Sequence, residues 1–394
     1  MIHELRAWYN SHFTQEKYRL FLARLDAVCG MHIEFKVSET PFFLPSALMS
    51  AMAEAGRAML HQLVNDADYL AKARRTIPEQ FCVPNEARHP LFAAVDFGIV
   101  RTADGEVVPR LIELQGFPTL FAFQPMQALL FKETFGLPQE CCFLLDDLDL
   151  EDYLMVFRRA VLGACDPEHV VLMDLDPERQ KTRPDFLLTE RFCGIRTINI
   201  RDVVQEGRKL FYRSNSSLVP IRRIYNRTIV DEVVGTGVQV PFEMRDELEV
   251  EWAGHPNWFF LISKFSLPFL QHPFVPKTMF LNELDAVPND LDRWVLKPLF
   301  SFAGTGVVVG PSRTEIEAVP EHQRTHYVLQ ERVEYAPLIA TPHGETKAEV
   351  RIMYIWENEL HAVANLVRMG RGKMMGVRYN QNMAWVGSSA AFFV

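Results

Sequence analysis

The 394-residue sequence predicts a mixed fold of the α+β and α/β classes, with a helical N-terminal segment and a small parallel α/β unit in the middle. Three observations predict it. Apolar residues follow helical spacing before residue 90, an Asp-Gly turn separates two apolar runs after residue 91, and strand and helix patterns alternate after residue 151. At roughly 150 residues per domain, the length suggests two or three domains. The changes of pattern divide the chain into residues 1–90, 91–150, 151–235 and 236–394.

Composition narrows the class of partner. The chain is 48% hydrophobic and 23% charged, which is an ordinary globular balance. A net charge of −9 argues against a surface for nucleic acid or for acidic membranes. The six cysteines show no disulfide or metal spacing, and no apolar stretch of 18 residues occurs. We therefore expect a soluble cytoplasmic protein with no nucleic-acid or membrane partner, and a homodimer is compatible with this sequence.

Apolar spacing places the elements of the first half. Helices are predicted over 4–28, Pro45–Val64, Ala67–Arg74 and Pro125–Thr134. Because Asp104-Gly105 is a strong hairpin signal, Phe92–Val100 and Val107–Leu114 are predicted to pair. In the parallel unit, Tyr153–Gly163 and Pro177–Arg183 are predicted helices. The strands predicted there are His169–Met173, Asp185–Thr189, Thr197–Ile200 and Lys209–Tyr212, and Ile221–Tyr225 is a further apolar run.

The last third carries two predicted helices, a hairpin and three further strands. The helices are Met244–Trp252 and Trp258–Leu267. Short strands at Trp294–Leu296 and Val307–Val309 enclose a loop of small residues. The remaining strands are Tyr327–Glu331, Lys347–Tyr354 and Leu360–Leu366. Residues 368–394, rich in Gly, Met, Arg and Asn, are typical of a site-forming loop.

The loop after Lys297 has the composition of a phosphate-binding turn. Gly304 and Gly306 allow a tight turn, and successive N–H groups in such a turn can hold phosphate oxygens, with Ser301 and Lys297 beside them. A strand follows the loop, whereas a P-loop is followed by a helix. An ordinary glycine hairpin with a partly buried lysine is the alternative.

Several short motifs of the last third occur in an order that resembles the ATP-grasp superfamily. They are Lys264, the Val-Pro-Lys-Thr run ending at Thr278, Lys297-Pro298, Gln330-Glu331 and Glu349-Val-Arg351. The resemblance implies that two α+β lobes hold ATP between them. It implies that Lys264, Lys297 and Arg351 offset the triphosphate charge, with Lys297 and Arg351 catalytic, and that the backbone of Gln330, Glu331 and Val333 contacts the adenine. For Lys264 a surface-reaching side chain, and for Arg351 a structural ion pair, remain open.

The metal-binding strands of that superfamily match the hairpin near the N-terminus. Asp96 and Glu113 lie on its two arms, and Gln115 stands where the pattern has Asn. Oxygen donors of this kind suit Mg²⁺, although both carboxylates can also be solvated hairpin residues. This order resembles the circularly permuted chains of the glutathionylspermidine synthase and eukaryotic glutathione synthetase group. The glycine loop, unlike that of glutathione synthetase, contains no carboxylate.

The resemblance implies an ATP- and Mg²⁺-dependent ligase that joins a small-molecule carboxylate to an amine through an acyl phosphate. Arginine forks bind carboxylates and phosphates in two-point contacts, so the substrate residues are predicted to be Arg227, Arg368, Arg378 and Asn380. A structural role stays open for each. A phosphotransferase on the same site and a nucleotide-binding protein without turnover are the alternatives.

Overall fold

The computed structural model describes residues 1–300, 304–380 and 382–394. Its α-helices are α1 (His3–His12), α2 (Gln15–Cys29), α3 (Ser46–Asn65), α4 (Ala67–Arg74), α5 (Phe123–Phe135), α6 (Leu150–Leu162), α7 (Arg183–Cys193), α8 (Val230–Thr236), α9 (Trp258–Leu261) and α10 (Arg313–Glu317). The predicted helix over 4–28 is thus two helices, α1 and α2. None of the helices within these ranges has the length and apolar content needed to span a membrane.

The strands of the described residues form five sheets. They are β1 (Phe42–Leu44), β2 (Phe92–Arg101), β3 (Val107–Gln115), β4 (Val170–Asp174), β5 (Arg196–Asn199), β6 (Val204–Glu206), β7 (Lys209–Ser214), β8 (Ser217–Ile221), β9 (Arg223–Asn226), β10 (Glu251–Ala253), β11 (Thr278–Phe280), β12 (Trp294–Pro298), β13 (Val308–Val309), β14 (Tyr327–Glu331), β15 (Lys347–Trp356), β16 (Leu360–Gly370), β17 (Gly387–Ser389) and β18 (Ala391–Phe393).

The sheet that carries the candidate site is antiparallel, in the order β17-β16-β15-β2-β3. It joins the hairpin near the N-terminus to strands from the last third, since β2 pairs with β15 along Phe92–Gly98. Helix α3 packs against one face of this sheet. Gly56 of α3 faces Tyr354 of β15, whose hydroxyl donates to the Ala53 carbonyl at 2.9 Å. The predicted pairing of β2 with β3 is confirmed.

A second antiparallel sheet, β11-β14-β12-β13, carries the glycine loop. Val295 and Leu296 pair with Val309 and Val308, so the predicted hairpin around the loop is confirmed. On its other side, β12 pairs with β14 from Trp294 to Pro298. This register places Lys297, Val328 and Gln330 on one face because directly paired residues, and residues two apart, point the same way.

The parallel sheet has the order β10-β9-β4-β5 and is flanked by α6 and α7. It reaches Ala253, beyond the boundary predicted at 235. The strand predicted at Asp185–Thr189 is wrong, because these residues lie in α7. Pro184 in the first turn and Gly194 at the C-cap (φ 73°) are helix signals that outweigh the short apolar run.

Three predicted helices are wrong in extent or type. The Met244–Trp252 segment is not a helix: it is irregular and leads into β10. Its apolar residues alternate with polar ones, which is the pattern of a strand. The Trp258–Leu267 helix is reduced to α9, followed by a 3₁₀ segment at Lys264–Phe269 that contains Pro268. The predicted Pro177–Arg183 helix is a single 3₁₀ turn at Pro177–Arg179.

The beginning and the end of the chain lie side by side. Strands β1 and β18 pair in parallel, and the Ser38 amide donates to the Ser388 carbonyl at 2.8 Å. Residues 368–394 are therefore only partly a loop, since β16 continues to Gly370 and both β17 and β18 are largely buried. Helices α1 and α2 contribute Tyr9 and Phe21 to a core shared with α5, α6 and α7.

Candidate functional site

Lys297 reaches from the glycine-loop sheet to the β2–β3 hairpin. Its Nζ donates to the carbonyl oxygen of Ile112 at 2.9 Å. The pairing of β2 with β3 shifts register beside Ile112, and such a β-bulge releases groups from the ladder and redirects them. Burial lowers the pKa of Lys297 to about 8, although Glu113 partly opposes this.

The glycine loop adopts the backbone that its sequence predicts. Gly304 and Gly306 both have φ of 72°, in the left-handed region that favours glycine. Tyr379 donates its hydroxyl to the Gly304 carbonyl at 3.5 Å, so the loop that includes residues 371–380 lies against it. Ser301 lies outside the described residues.

Lys264 comes close to Glu113 because Gly116 has no side chain. The Gly116 amide donates to the Ile262 carbonyl at 3.0 Å, and a Cβ on Gly116 would lie only 2.4 Å from the Trp258 carbonyl oxygen. This close approach brings the Lys264 Nζ to 3.5 Å from Glu113 Oε2. Lys264 is 8% exposed, so it does not extend to solvent as the sequence alternative allowed. Gly116 itself was missed, although it directly follows the Glu-Leu-Gln motif.

Glu113 is the centre of the site. Burial alone would raise its pKa, but four nearby cations outweigh burial and lower this pKa to about 2. The four are Lys264, Lys297, Arg351 and Arg368. Glu113 Oε1 also accepts from Gln115 Nε2 at 2.7 Å. A cavity of about 40 Å³ opens beside these groups, lined among others by Phe259, Ile262 and Phe300.

Asp96 lies directly opposite Glu113 on one side and Arg351 on the other. Arg351 donates hydrogen bonds to both carboxylate oxygens of Asp96, with Nε–Oδ1 and Nη2–Oδ2 distances of 2.6 and 2.7 Å. Arg368 Nη2 also contacts Oδ2 at 2.7 Å. Asp96 is 1% exposed, and it is an ion-pair carboxylate, contrary to its predicted role as a metal ligand. For Arg351, the geometry corresponds to the structural ion pair that the sequence left open.

Glu349 is a fourth member of this network that the sequence analysis did not assign. Arg368 Nη1 lies 3.2 Å from its Oε1, and the Tyr335 hydroxyl donates to its Oε2 at 2.5 Å. Burial raises the pKa of Glu349, with Arg368 opposing. Its position two residues before Arg351 on β15 could have revealed it, because strand residues i and i+2 share a face. Nothing in the sequence pointed to Tyr335.

Gly98 lets the chain after β14 cross the sheet. A Cβ there would lie 2.8 Å from both Tyr335 Cε1 and Val333 Cγ1. Val333 therefore passes directly over β2 beside Glu349, the cross-strand partner of Gly98.

Glu331 and Gln330, both predicted to contact the nucleotide, differ in whether their polar groups already have partners. Glu331 is committed elsewhere: its amide donates to Lys277 and its carboxylate pairs with Arg293 at 3.1 Å. Gln330 is 2% exposed, and its Nε2 finds no hydrogen-bond partner among the described residues. Because Gln330 shares a face of the sheet with Lys297, this donor lies on the side of the site.

Two predicted substrate residues are structural. Arg227 is buried and donates to Asp185 Oδ2 at 2.5 Å, while Asp185 Oδ1 accepts the Ala122 and Phe123 amides at the start of α5. Asn380 is 1% exposed and ties the loop around it through Met374, Gly376 and the Arg371 amide. The Arg378 side chain lies outside the described residues. Of the predicted substrate residues whose side chains the structure describes, Arg368 lies at the site.

The donors do not fit the magnesium site that the resemblance implies. Asp96 is held by two guanidinium groups, and residues 299–310, which contain the glycine loop, include no Asp or Glu. Glu113 and Gln115 remain, but Gln115 turns its amide nitrogen to Glu113, and Lys264 already occupies the cation position beside that carboxylate. Among the described residues no group of three or more His, Cys, Asp or Glu is arranged to hold a metal ion.

Comparison with known proteins identifies a fold. No protein-family model and no curated protein matches the chain. Solved structures do match: a glutathione synthetase-like effector (GSS30) from Globodera pallida, in its apo form, aligns with a TM-score of 0.58 and 11% identity. The alignment covers 95% of this chain and 97% of that one. The chain therefore has a glutathione synthetase-like fold.

Proposed function

We propose that this chain binds ATP between the β2–β3 hairpin and the glycine-loop sheet, and uses it as an ADP-forming carboxylate–amine ligase. The observation that carries the proposal is the set of four cations around Glu113, beside a cavity and next to a loop with two glycines of positive φ. Buried cations in excess of their partners suit a polyanionic ligand. The unpartnered Gln330 Nε2 supplies a further donor.

The fold supports the same proposal. In the permuted ATP-grasp arrangement that the sequence resembles, strands from the two ends of the chain must complete one lobe. Here β2 and β3 complete a sheet with β15 and β16, and the glycine loop lies in a separate sheet that faces it through Lys297. The likeness to a glutathione synthetase-like effector supports the proposal through the fold alone.

The proposed chemistry needs no protein nucleophile. A substrate carboxylate oxygen attacks the γ-phosphorus of ATP, the bond to the bridging oxygen breaks, and ADP leaves. The amine then attacks the carbonyl of the acyl phosphate, loses a proton, and expels inorganic phosphate. Lys264 and Lys297 stabilise the charge that develops on the phosphoryl oxygens. Arg368 orients the substrate carboxylate by exchanging part of its ion pairing with Asp96 and Glu349. Catalysis therefore depends on the positioning of the substrates and on stabilisation of phosphoryl charge.

Calorimetric titration with ATP tests the nucleotide site. Wild type is expected to bind, and Lys297→Ala is expected to lose about tenfold or more in affinity, because a buried charged contact to phosphate is removed. Lys209→Ala, which removes an exposed lysine on β7, is the matched control and should bind as wild type does. A wild-type protein that binds no ATP would contradict the proposal. ADP release that requires both an added carboxylate and an added amine would establish the ligase step.

A nucleotide-binding protein without turnover is the second candidate. The observation in its favour is that Arg351 and Arg368 both pair with Asp96. Arginines held in this way are not free to act on a transferring phosphoryl group. The two candidates separate in the ADP-release measurement. Tight ATP binding with no ADP formed in a broad screen of carboxylates and amines would favour the binding protein.

A further inference from the structure

We infer that this site holds the phosphates of its nucleotide directly through protein cations, so that ATP binds without Mg²⁺. The inference rests on the proposed nucleotide site and concerns how that site neutralises phosphate charge. It is carried by the arrangement of the charged groups and of the oxygen donors around Glu113.

The charged cluster has a positive excess. The structure brings four cations, Lys264, Lys297, Arg351 and Arg368, around three carboxylates, Asp96, Glu113 and Glu349. With all seven ionised, one positive charge is in surplus in a region shielded from water. A region of this kind attracts an anion and repels a free divalent cation.

The oxygen donors are already committed. Both oxygens of Asp96 face guanidinium groups, and those of Glu349 face Tyr335 and Arg368. At nucleotide sites Mg²⁺ is bound through one or two carboxylates together with substrate phosphates and water, and Glu113 is the carboxylate of this cluster that is left for it. At Glu113 it would have to displace Lys264, whose Nζ lies 3.5 Å from the carboxylate. An ammonium group therefore lies beside the carboxylate that would have to bind the metal.

Glu113 then acts as a positioning residue. It holds Lys264 on one side, and its negative charge partly opposes the effect of burial on Lys297, which donates to the neighbouring Ile112 carbonyl. When phosphate enters, both lysines contact phosphate oxygens, and Gln115 Nε2 keeps its hydrogen bond to Glu113. Because Glu113 is an anion beside bound phosphate, it weakens metal-free binding, whereas a metal ligand would strengthen binding of the Mg²⁺ complex.

Glu113 is thus expected to weaken ATP binding if protein cations hold the phosphates, and to strengthen it if a metal ion does. An experiment can distinguish these two effects. ATP is titrated by calorimetry into wild type and Glu113→Gln, once in excess EDTA and once in excess Mg²⁺. We expect wild type to bind in EDTA with a Kd within about threefold of that in Mg²⁺. We expect Glu113→Gln to bind ATP in EDTA about fivefold more tightly than wild type does, because one like charge is removed.

The contrary outcomes are distinct. ATP binding that is seen only with Mg²⁺ and is lost in Glu113→Gln would overturn the inference and leave the proposed nucleotide site standing. No ATP binding under either condition would overturn both. Thermal unfolding followed by circular dichroism shows whether Glu113→Gln is folded. If it is not, Gln115→Ala provides the second readout: it leaves binding in EDTA within about threefold of wild type if the lysines hold the phosphates, and abolishes binding in Mg²⁺ if a metal does.

Discussion

Arg227 and Arg351 are both buried arginines that contact a buried aspartate, yet they belong to opposite kinds of cluster. Arg227 and Asp185 form a closed pair: Asp185 also accepts two amides at the start of α5, and the Arg227 guanidinium lies 5.0 Å from the ring of Phe186. Arg351 shares Asp96 with Arg368, which also binds Glu349, and two lysines and a cavity lie alongside.

The difference separates structure from function better than residue type does. In the closed pair Asp185 meets the Arg227 guanidinium and also accepts two backbone amides, and Asp174 is a second buried carboxylate near Arg227. In the open cluster the cations outnumber the carboxylates, and a buried Gln330 donor has no partner among the described residues. Arg227 Nε likewise finds no hydrogen-bond partner among the described residues, so the balance of charge is what separates the two clusters. Two carboxylates surround Arg227, whereas a ligand that brings negative charge would offset the surplus of the open cluster.

The largest expected effect comes from breaking the closed pair with Asp185→Ala. This change leaves Arg227 charged and buried and removes the cap of α5, so the free energy of unfolding should fall by roughly 3–5 kcal/mol. Urea unfolding measures the change. Asp246→Ala, at an exposed turn, is the control and should be within about 0.5 kcal/mol of wild type.

The same variant tests the assignment of Arg227. Asp185→Ala that is still folded should bind ATP as wild type does, because the closed pair takes no part in the nucleotide site. An unchanged unfolding midpoint together with weakened ligand binding would return Arg227 and Asp185 to the functional residues.

A smaller effect is expected at the open cluster from Gly116→Ala. The new Cβ would lie 2.4 Å from the Trp258 carbonyl oxygen, which belongs to backbone and cannot rotate away. The segment that carries Lys264 must therefore shift, and we expect a loss of about 1–3 kcal/mol in stability. ATP affinity should fall about tenfold as Lys264 moves from Glu113.

Gly235→Ala is the matched control for this change. Gly235 lies in α8, a Cβ there would meet no atom within 4 Å, and its φ is not positive. Alanine should leave stability equal or raise it by about 0.5–1 kcal/mol. Equal ATP affinity in Gly116→Ala and wild type would show that the close approach at Gly116 does not set the position of Lys264.

The comparison also shows how far the sequence could go. The hairpins, the glycine loop and the convergence of Asp96 and Glu113 on one face could be predicted, because they depend on turn chemistry and strand periodicity. The partners of the arginines could not, because Arg227 and Arg368 carry the same local signal. What separates them is the count of opposite charges brought together by strands distant in sequence. Gly116 and Tyr335 act through contacts with segments far along the chain, which no local pattern reveals.

The smallest effect sharpens the comparison through pH. Burial lowers the pKa of Lys297 to about 8, and the protonated form is the one that phosphate favours. As pH rises through 8 the free protein loses this proton, so ATP binding must take one up. Affinity should therefore be nearly constant from pH 6.5 to about 7.5 and then fall by up to about tenfold per pH unit above 8. Calorimetry in two buffers of different ionisation enthalpy measures both the affinity and the proton uptake.

Lys297→Arg provides the control, because a guanidinium stays charged throughout this range. If the pH dependence arises at Lys297, the variant should bind ATP with an affinity that is flat from pH 7 to 9 and with little proton uptake. An identical fall in affinity in wild type and Lys297→Arg would place the titrating group elsewhere and remove Lys297 from the groups that contact phosphate. The closed pair offers no such response, since Arg227 keeps its charge beside Asp185 and its pKa is raised above the usual arginine value in spite of burial. A fall in ATP affinity above pH 8 that is present in wild type and absent from Lys297→Arg would therefore assign the titration to the open cluster.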